Sequence, residues 1–110
     1  MSSSIDGTSI TLTKGDTFKT YVTPRDEDGY FYSPRTGDVV RFALKKNYKD
    51  AECLIKKTIP NDTLLLHLEP SDTKNLDIGN YVYDVEITYA NGDVDTFIDR
   101  AKFKLTEEVD

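Results

Sequence analysis

The sequence predicts an all-β domain, an antiparallel β-sandwich of seven to eight short strands. Three observations predict it. Apolar residues recur at every second position in several short runs, and no useful stretch carries the i, i+3, i+4, i+7 spacing of an amphipathic helix. Turn residues punctuate those runs at intervals of roughly 8–12 residues, the rhythm of a sandwich. Composition leans the same way: seven Tyr and five Phe among 110 residues, with many Val, Ile and Thr, side chains that suit a pleated, half-buried surface. A closed barrel of similar strand count is the competing architecture.

The elements follow in order. Residues 1–8 read as a flexible N-terminus. Ser9 to Thr13 is a strand with Ile10 and Leu12 inward, and Gly15-Asp16 turns the chain. Thr17 to Thr23 is next, with Phe18, Thr20 and Val22 on one face. Pro24, Asp28-Gly29 and Pro34 break the following stretch into a loop, in which Asp28-Gly29 closes a small hairpin with Tyr30-Phe31-Tyr32 as its return arm. Asp38 to Lys46 places Val40, Phe42 and Leu44 inward, with Arg41 and Lys45 outward. Glu52 to Ile59 follows, then a turn at Pro60-Asn61-Asp62. Thr63 to Leu68 puts Leu64, Leu66 and Leu68 on one face. Asn80 to Ala90 is the longest expected strand.

Asn91-Gly92 is the strongest hairpin signal, because both central positions of a two-residue turn need positive φ. Pairing across it sets Tyr89 opposite Val94, Ile87 opposite Thr96 and Val85 opposite Ile98, all six inward. The phase changes before Phe103 and Leu105, so Asp99-Arg100 should hold a bulge. The domain then spans 9–107, with 108–110 as a C-terminal tail.

A chain of this length fits one domain. It can bury roughly 65% of the surface that its unfolded chain exposes, enough for a core without metals or disulfides. Net charge is −6; the first 55 residues balance at 8 basic and 8 acidic, and the last 55 carry 6 basic against 12 acidic. A field of that sign repels phosphate backbones and argues against nucleic acid. The single Cys53 makes no internal disulfide. No segment reaches the ~18 apolar residues that a membrane helix needs, and the first residues lack the basic start and apolar run of a secretory signal.

Immunoglobulin-like sandwiches carry a Tyr near the start of the sixth strand, whose hydroxyl bonds to backbone a few residues upstream. The run from Ser71 to Val85 has that form: Leu76 and Gly79 precede Tyr81, and Tyr83 stands where antibody domains place their second cysteine. The alternating tyrosines then read as corner and core rather than as a binding stripe.

Little in the chain carries chemistry. His67 alternates with Leu66 and Leu68 and has no partner ligand near it. Cys53, placed on a strand and half-buried, has no base beside it in sequence. Asp26-Glu27-Asp28-Gly29 invites a calcium reading, yet the full loop signature needs a Glu at its twelfth position that is missing. Lys45, Lys46, Lys49, Lys56 and Lys57 read first as edge-strand lysines that block sheet-to-sheet pairing. No catalytic residue, cofactor or metal ligand is assigned, and the chain reads as a non-enzyme. The candidate partner-binding residues are Tyr30, Phe31 and Tyr32, placed in a loop or short edge strand, and the outward Leu65 and Phe97. Exposed aromatics of this kind suit a protein–protein contact or a sugar platform.

The pieces KGDTFKTYVTPRDEDG, GDVVRFALKK, IKKTI, LEPSDTKNLDIGNYVYDVEITYANGDVDTF and FKLTEEV together resemble a family of small immunoglobulin-like domains in tailed phages and prophages of Gram-positive bacteria. That family is similar to the N-terminal domain of the upper baseplate protein. The resemblance covers nearly the whole chain from Ile10 to Val109. It departs after the Asp-Gly turn, where members often carry a more apolar stretch than YFYSPRTG. The resemblance implies an immunoglobulin-like fold. It also implies a virion structural protein of the tail or baseplate, made in the bacterial host cytoplasm, that acts through contacts with other phage structural proteins. A homo-oligomer is among its implied assemblies, with no nucleic acid and no membrane. A module binding host cell-wall carbohydrate is the alternative.

Overall fold

Alternation becomes strand wherever turn residues bracket it. In the computed structural model, which describes residues 3–6, 8–26 and 28–107, eight strands and one helical turn are present. They are β1 (Ser3–Asp6), β2 (Ser9–Thr13), β3 (Phe18–Tyr21), β4 (Val39–Lys45), β5 (Ile55–Ile59), β6 (Leu65–Leu68), α1 (Pro70–Thr73), β7 (Gly79–Thr88) and β8 (Val94–Thr106). β2 buries Ile10 and Leu12, and β4 buries Val40, Phe42 and Leu44 completely. These are the inward positions that period two assigns.

Six strands form one sheet in the order β1-β2-β8-β7-β4-β5, and β3 and β6 form a second sheet of two. The sheet is mixed, which corrects the expectation of antiparallel pairing throughout. β2 runs parallel to β8, with Ile10 beside Phe103 and Leu12 beside Leu105, whereas the other pairs are antiparallel. Both sheets contribute to one apolar cluster: Phe18, Val22, Leu66 and Leu68 from the small sheet and its margin meet Ile10, Phe42, Tyr83, Ile87 and Phe103 from the large one. Each such large side chain withdrawn from water contributes roughly 1.5–3 kcal/mol before entropy is counted.

The corner residue is in place. Tyr81 is buried, and its hydroxyl donates to the Asp77 carbonyl at 2.5 Å. The Lys46 ammonium sits 4.6 Å from the Tyr81 ring centre and donates to the Asn80 carbonyl at 3.0 Å. Two residues further along β7, Tyr83 packs against Phe42 and Phe103, and its hydroxyl donates to the Thr8 carbonyl. That bond ties β7 to the entrance of β2.

The hairpin after β7 departs from expectation. Only Gly92 adopts positive φ, at 95°, and Asn91 does not. The Gly92 amide donates to the Tyr89 carbonyl, and the Tyr89 amide to the Asp93 carbonyl, so the loop spans three residues rather than two. The register slips by one: Thr88 faces Val94, Ile87 faces Asp95 and Glu86 faces Thr96, while Val85 still faces Ile98. Because side chains alternate, the slip turns Val94 and Thr96 outward; Val94 is 53% exposed. Two local restraints favour the longer loop. Asn91 Oδ1 accepts from the Asp93 amide, and the Ala90 amide is held by the Asp38 carboxylate at 3.0 Å. Gly37, at φ 95°, also backs onto Ala90, where an added Cβ would come within 2.9 Å of the Ala90 Cβ.

The irregularity expected at Asp99-Arg100 is present. Two residues of β8 stand against Asp84, Arg100 takes φ 52°, and its amide donates to Asp84 Oδ1 at 2.6 Å. β8 therefore runs unbroken from Val94 through Phe103 and Leu105 and is longer than β7, which was expected to be the longest strand. A second extra residue at Phe97 restores the register to Val85–Ile98.

Other boundaries move for identifiable reasons. β6 begins at Leu65 because Leu64 takes φ 54° and its amide closes back on the Pro60 carbonyl. β5 begins at Ile55, so Cys53 lies before the strand, half-buried. Residues 70–73, read as connection, form α1. Pro70 supplies a preset φ at its start, and Asp72 accepts from the Glu69 amide at 2.7 Å and pairs with Lys57 at 3.0 Å. Buried Thr73 accepts from the Gly15 amide, docking the turn between β2 and β3. Residues 1–8, expected to be flexible, contain β1, which pairs with β2. Among the described residues no helix is long and apolar enough to cross a membrane.

Candidate interaction surface

β3 organises the surface. Its alternation buries Phe18 and Val22 and turns Lys19 and Tyr21 outward, leaving Tyr21 74% exposed. Past β3, the chain closes the small hairpin that Asp28-Gly29 predicts. Arg25 bridges to Phe31, the Asp26 amide donates to the Tyr30 carbonyl, and the Tyr32 amide donates to the Pro24 carbonyl. Asp26 Oδ1 accepts from the amides of Asp28 and Tyr30, both at 3.0 Å, so this carboxylate shapes the turn. Glu27 lies outside the described residues.

The five candidate residues divide. Tyr30 and Phe31 are exposed, at 73% and 56%. Tyr32 turns inward instead, drawn by partners elsewhere in the fold. It packs edge-on against Tyr89 with ring centres 5.1 Å apart, and its hydroxyl donates to Asp38 Oδ2 at 2.6 Å. Leu65 is half-buried on β6, directly opposite Tyr21. Phe97 is half-buried against the core at the extra residue of β8.

Phe97 and Tyr21 meet across a groove of about 350 Å³ between the two sheets. Ile10, Tyr83, Phe97 and Ile98 line one side; Thr20, Tyr21, Val22 and Leu66 line the other, with Arg25 also at its wall. The groove thus links three of the candidates through a residue that sequence reading left out. Tyr21 faces Leu65 along the sheet, shares the groove with Phe97, and leads through Arg25 to Phe31. Its signal was legible: once Phe18, Thr20 and Val22 face inward, Tyr21 must face outward.

Behind this surface lies a polar hub. Asp38 is buried, and its carboxylate accepts from the Tyr32 hydroxyl and from the amides of Arg35 and Ala90. The Tyr32 hydroxyl bond, then the Arg35 amide, hold the Asp38 carboxyl below its ordinary value. The same bond, followed by burial, raises Tyr32. Tyr89 is pushed up to about 12, first by burial and then by its 2.8 Å bond to Asp95. Burial alone pushes Tyr83 to about 12.

The remaining sequence candidates sit apart from this surface. His67 is half-buried on β6 opposite Lys19. Lys56 and Lys57 lie on β5, an edge of the large sheet, where lysines discourage further pairing. Among the described residues no group of three or more His, Cys, Asp or Glu is arranged to hold a metal ion. Compared with known proteins, the chain matches no family model, no curated protein and no solved structure. This surface presents exposed aromatic rings, a groove lined largely by apolar side chains and the guanidinium of Arg25.

Proposed function

We propose that the chain is a non-catalytic assembly module with an immunoglobulin-like sandwich, working in the tail or baseplate of a phage or prophage particle through protein–protein contacts. The finer fold assignment rests on two features. The parallel pairing of the second strand, β2, with the last, β8, in a sheet beside a separate β3–β6 pair, suits that architecture, and the Tyr81–Asp77 bond has the form of its tyrosine corner. The sequence pieces that resemble phage domains supply the setting.

The observation that carries the assembly reading is the run of exposed aromatics, Tyr21, Tyr30 and Phe31, beside an apolar groove. Aromatic side chains of this kind anchor protein interfaces, because they bury large area at low conformational cost. Purified particles from phage-producing cells, probed with antibody to this chain, test the setting. Label on the tail structure supports it; antigen in the lysate with bare particles removes it. Co-purification tests the contact. A structural protein that is retained by the native chain and lost with Tyr30→Ser and Phe31→Ser supports the reading. Cell-wall polysaccharide binding that is lost with the same changes would replace it with the sugar-binding alternative.

A further inference from the structure

β3 has one paired edge and one free edge. The Val22 amide donates to the Leu64 carbonyl at 2.9 Å, and hydrogen-bonded pairs alternate along an antiparallel ladder. Phe18, Thr20 and Val22 therefore direct their backbone groups toward β6. Lys19 and Tyr21 direct theirs to the opposite side, where no strand pairs among the described residues. The Thr20 hydroxyl reaches the Tyr21 carbonyl at 3.5 Å, too long to satisfy it. Unpaired N–H and C=O groups in a row are a template for another strand.

The surroundings select what can bind. The groove beside β3 has Ile10 of β2 and Phe97 and Ile98 of β8 on its far side, so residues of the large sheet lie next to this strand. A second folded sheet brought edge to edge would have to pass that wall. A single extended segment, needing roughly 4.8 Å beside β3, fits above it and can aim alternate side chains at Val22, Phe97 and Ile98. On its other face the segment would lie beside Lys19 and Tyr21, which are cross-strand neighbours of His67 and Leu65. The four outward positions along the pair, Lys19, Tyr21, Leu65 and His67, include one lysine and no carboxylate, and Arg25 lines the groove. Charge complementarity asks for acids there.

The geometry points to the free edge of β3 as a strand-addition site for an extended segment of a partner protein that alternates apolar residues, aimed into the groove, with acidic residues beside Lys19. Strand addition of this type draws affinity from main-chain hydrogen bonds and specificity from alternate side-chain pockets. It deepens the assembly reading by naming the kind of partner. The two fail separately, because docking is read on the isolated chain and particle association on particles.

The test is an amide-resolved NMR titration of the full chain with a capped heptapeptide alternating glutamate and valine, beside its lysine–valine counterpart. The glutamate peptide is expected to shift the Lys19, Tyr21 and Thr23 amides and slow their exchange, with the lysine peptide binding about tenfold more weakly. Lys19→Glu should reverse that preference. Tyr21→Pro removes an outward N–H while sparing the bonds to β6, and should abolish docking with the remaining amide pattern retained. If that variant does not fold, the Lys19→Glu reversal carries the test alone. Absence of shifts at millimolar peptide, equal binding of both peptides, or shifts confined to another surface overturns the proposal. So does slow exchange at Lys19 and Tyr21 in the free chain, which would place a segment of its own chain in the groove. Association that depends on protein concentration and competes with the peptide would make a second copy the occupant, and would equally overturn it.

Discussion

The hydroxyl of Tyr32 donates to the carboxylate of Asp38 at 2.6 Å, and through that contact three separate stretches of chain are fastened together. The same carboxylate holds the amides of Arg35, at 2.8 Å, and Ala90, at 3.0 Å, while the Asp38 carbonyl accepts from the Asn61 amide group at 2.8 Å. The long loop before β4, the β7–β8 hairpin and the turn before β6 all close on one buried acid.

This arrangement makes stability depend on acid. Folded Asp38 has its carboxyl held down, chiefly by Tyr32 and then by Arg35, whereas unfolded it returns to about 3.9. Between those two values the unfolded chain binds more protons. The stabilisation is therefore complete above the unfolded value and is lost as pH falls through the folded one. Thermal melts from pH 7 to pH 2 are expected to drop steeply below about pH 4. Asp38→Asn should melt lower at pH 7 and show a shallower acid slope; parallel slopes for the two proteins would remove Asp38 as the cause.

At the alkaline end the signs reverse. Tyr83 and Tyr89 are raised to about 12, so their neutral forms are favoured by folding. Their contribution is whole below the ordinary tyrosine value of about 10 and disappears as pH rises through the folded one. A tyrosinate absorbance titration of the native chain should show delayed ionisation, with Tyr89→Phe and Tyr83→Phe each removing part of the late component. Ionisation of every tyrosine in one step near the ordinary value would contradict the burial described.

Tyr81→Phe isolates the corner bond. The ring keeps its packing and its contact with Lys46, and the exposed Asp77 stretch lets water take over the carbonyl. The expected loss is about 1 kcal/mol, read as a fall in Tm of roughly 4 °C or more for a domain of this size. A variant as stable as the native chain would reduce the corner to geometry without energy.

Hairpin register can be read from two substitutions. Ile87 is fully buried and Val94 is half-exposed. Ile87→Ala should cost about 2–5 kcal/mol in urea unfolding. Val94→Ser should change stability by no more than about 0.5 kcal/mol. A large loss at Val94 would restore the register with Val94 facing inward.

Much of the strand pattern was legible because period two is a local property. Ile10 and Leu12, Val40 and Leu44, or Tyr83 and Val85 need only their neighbours for the buried side to be named. The bulge at Asp99-Arg100 was legible for the same reason, since inward residues change parity across it. That at least one of Tyr30, Phe31 and Tyr32 is exposed was readable because three successive aromatics cannot all face one side. Tyr32 was not separable from them by sequence, because its partner Asp38 sits beyond a loop and Tyr89 more than fifty residues away.

What the amino-acid sequence determined by itself is most of the strands from β2 to β8, the inward faces of β2, β4 and β7, and the upstream bond of Tyr81, all of which follow from side-chain alternation and turn chemistry within a few residues. Tertiary structure alone decided the parallel seating of β2 on β8, the one-residue slip that exposes Val94, and the groove that joins Tyr21 to Phe97. Each of these depends on which distant backbone groups meet. A hydrogen bond from Ala90 to Asp38, or from Tyr83 to Thr8, has no trace in local periodicity because its energy is realised only once the chain has closed.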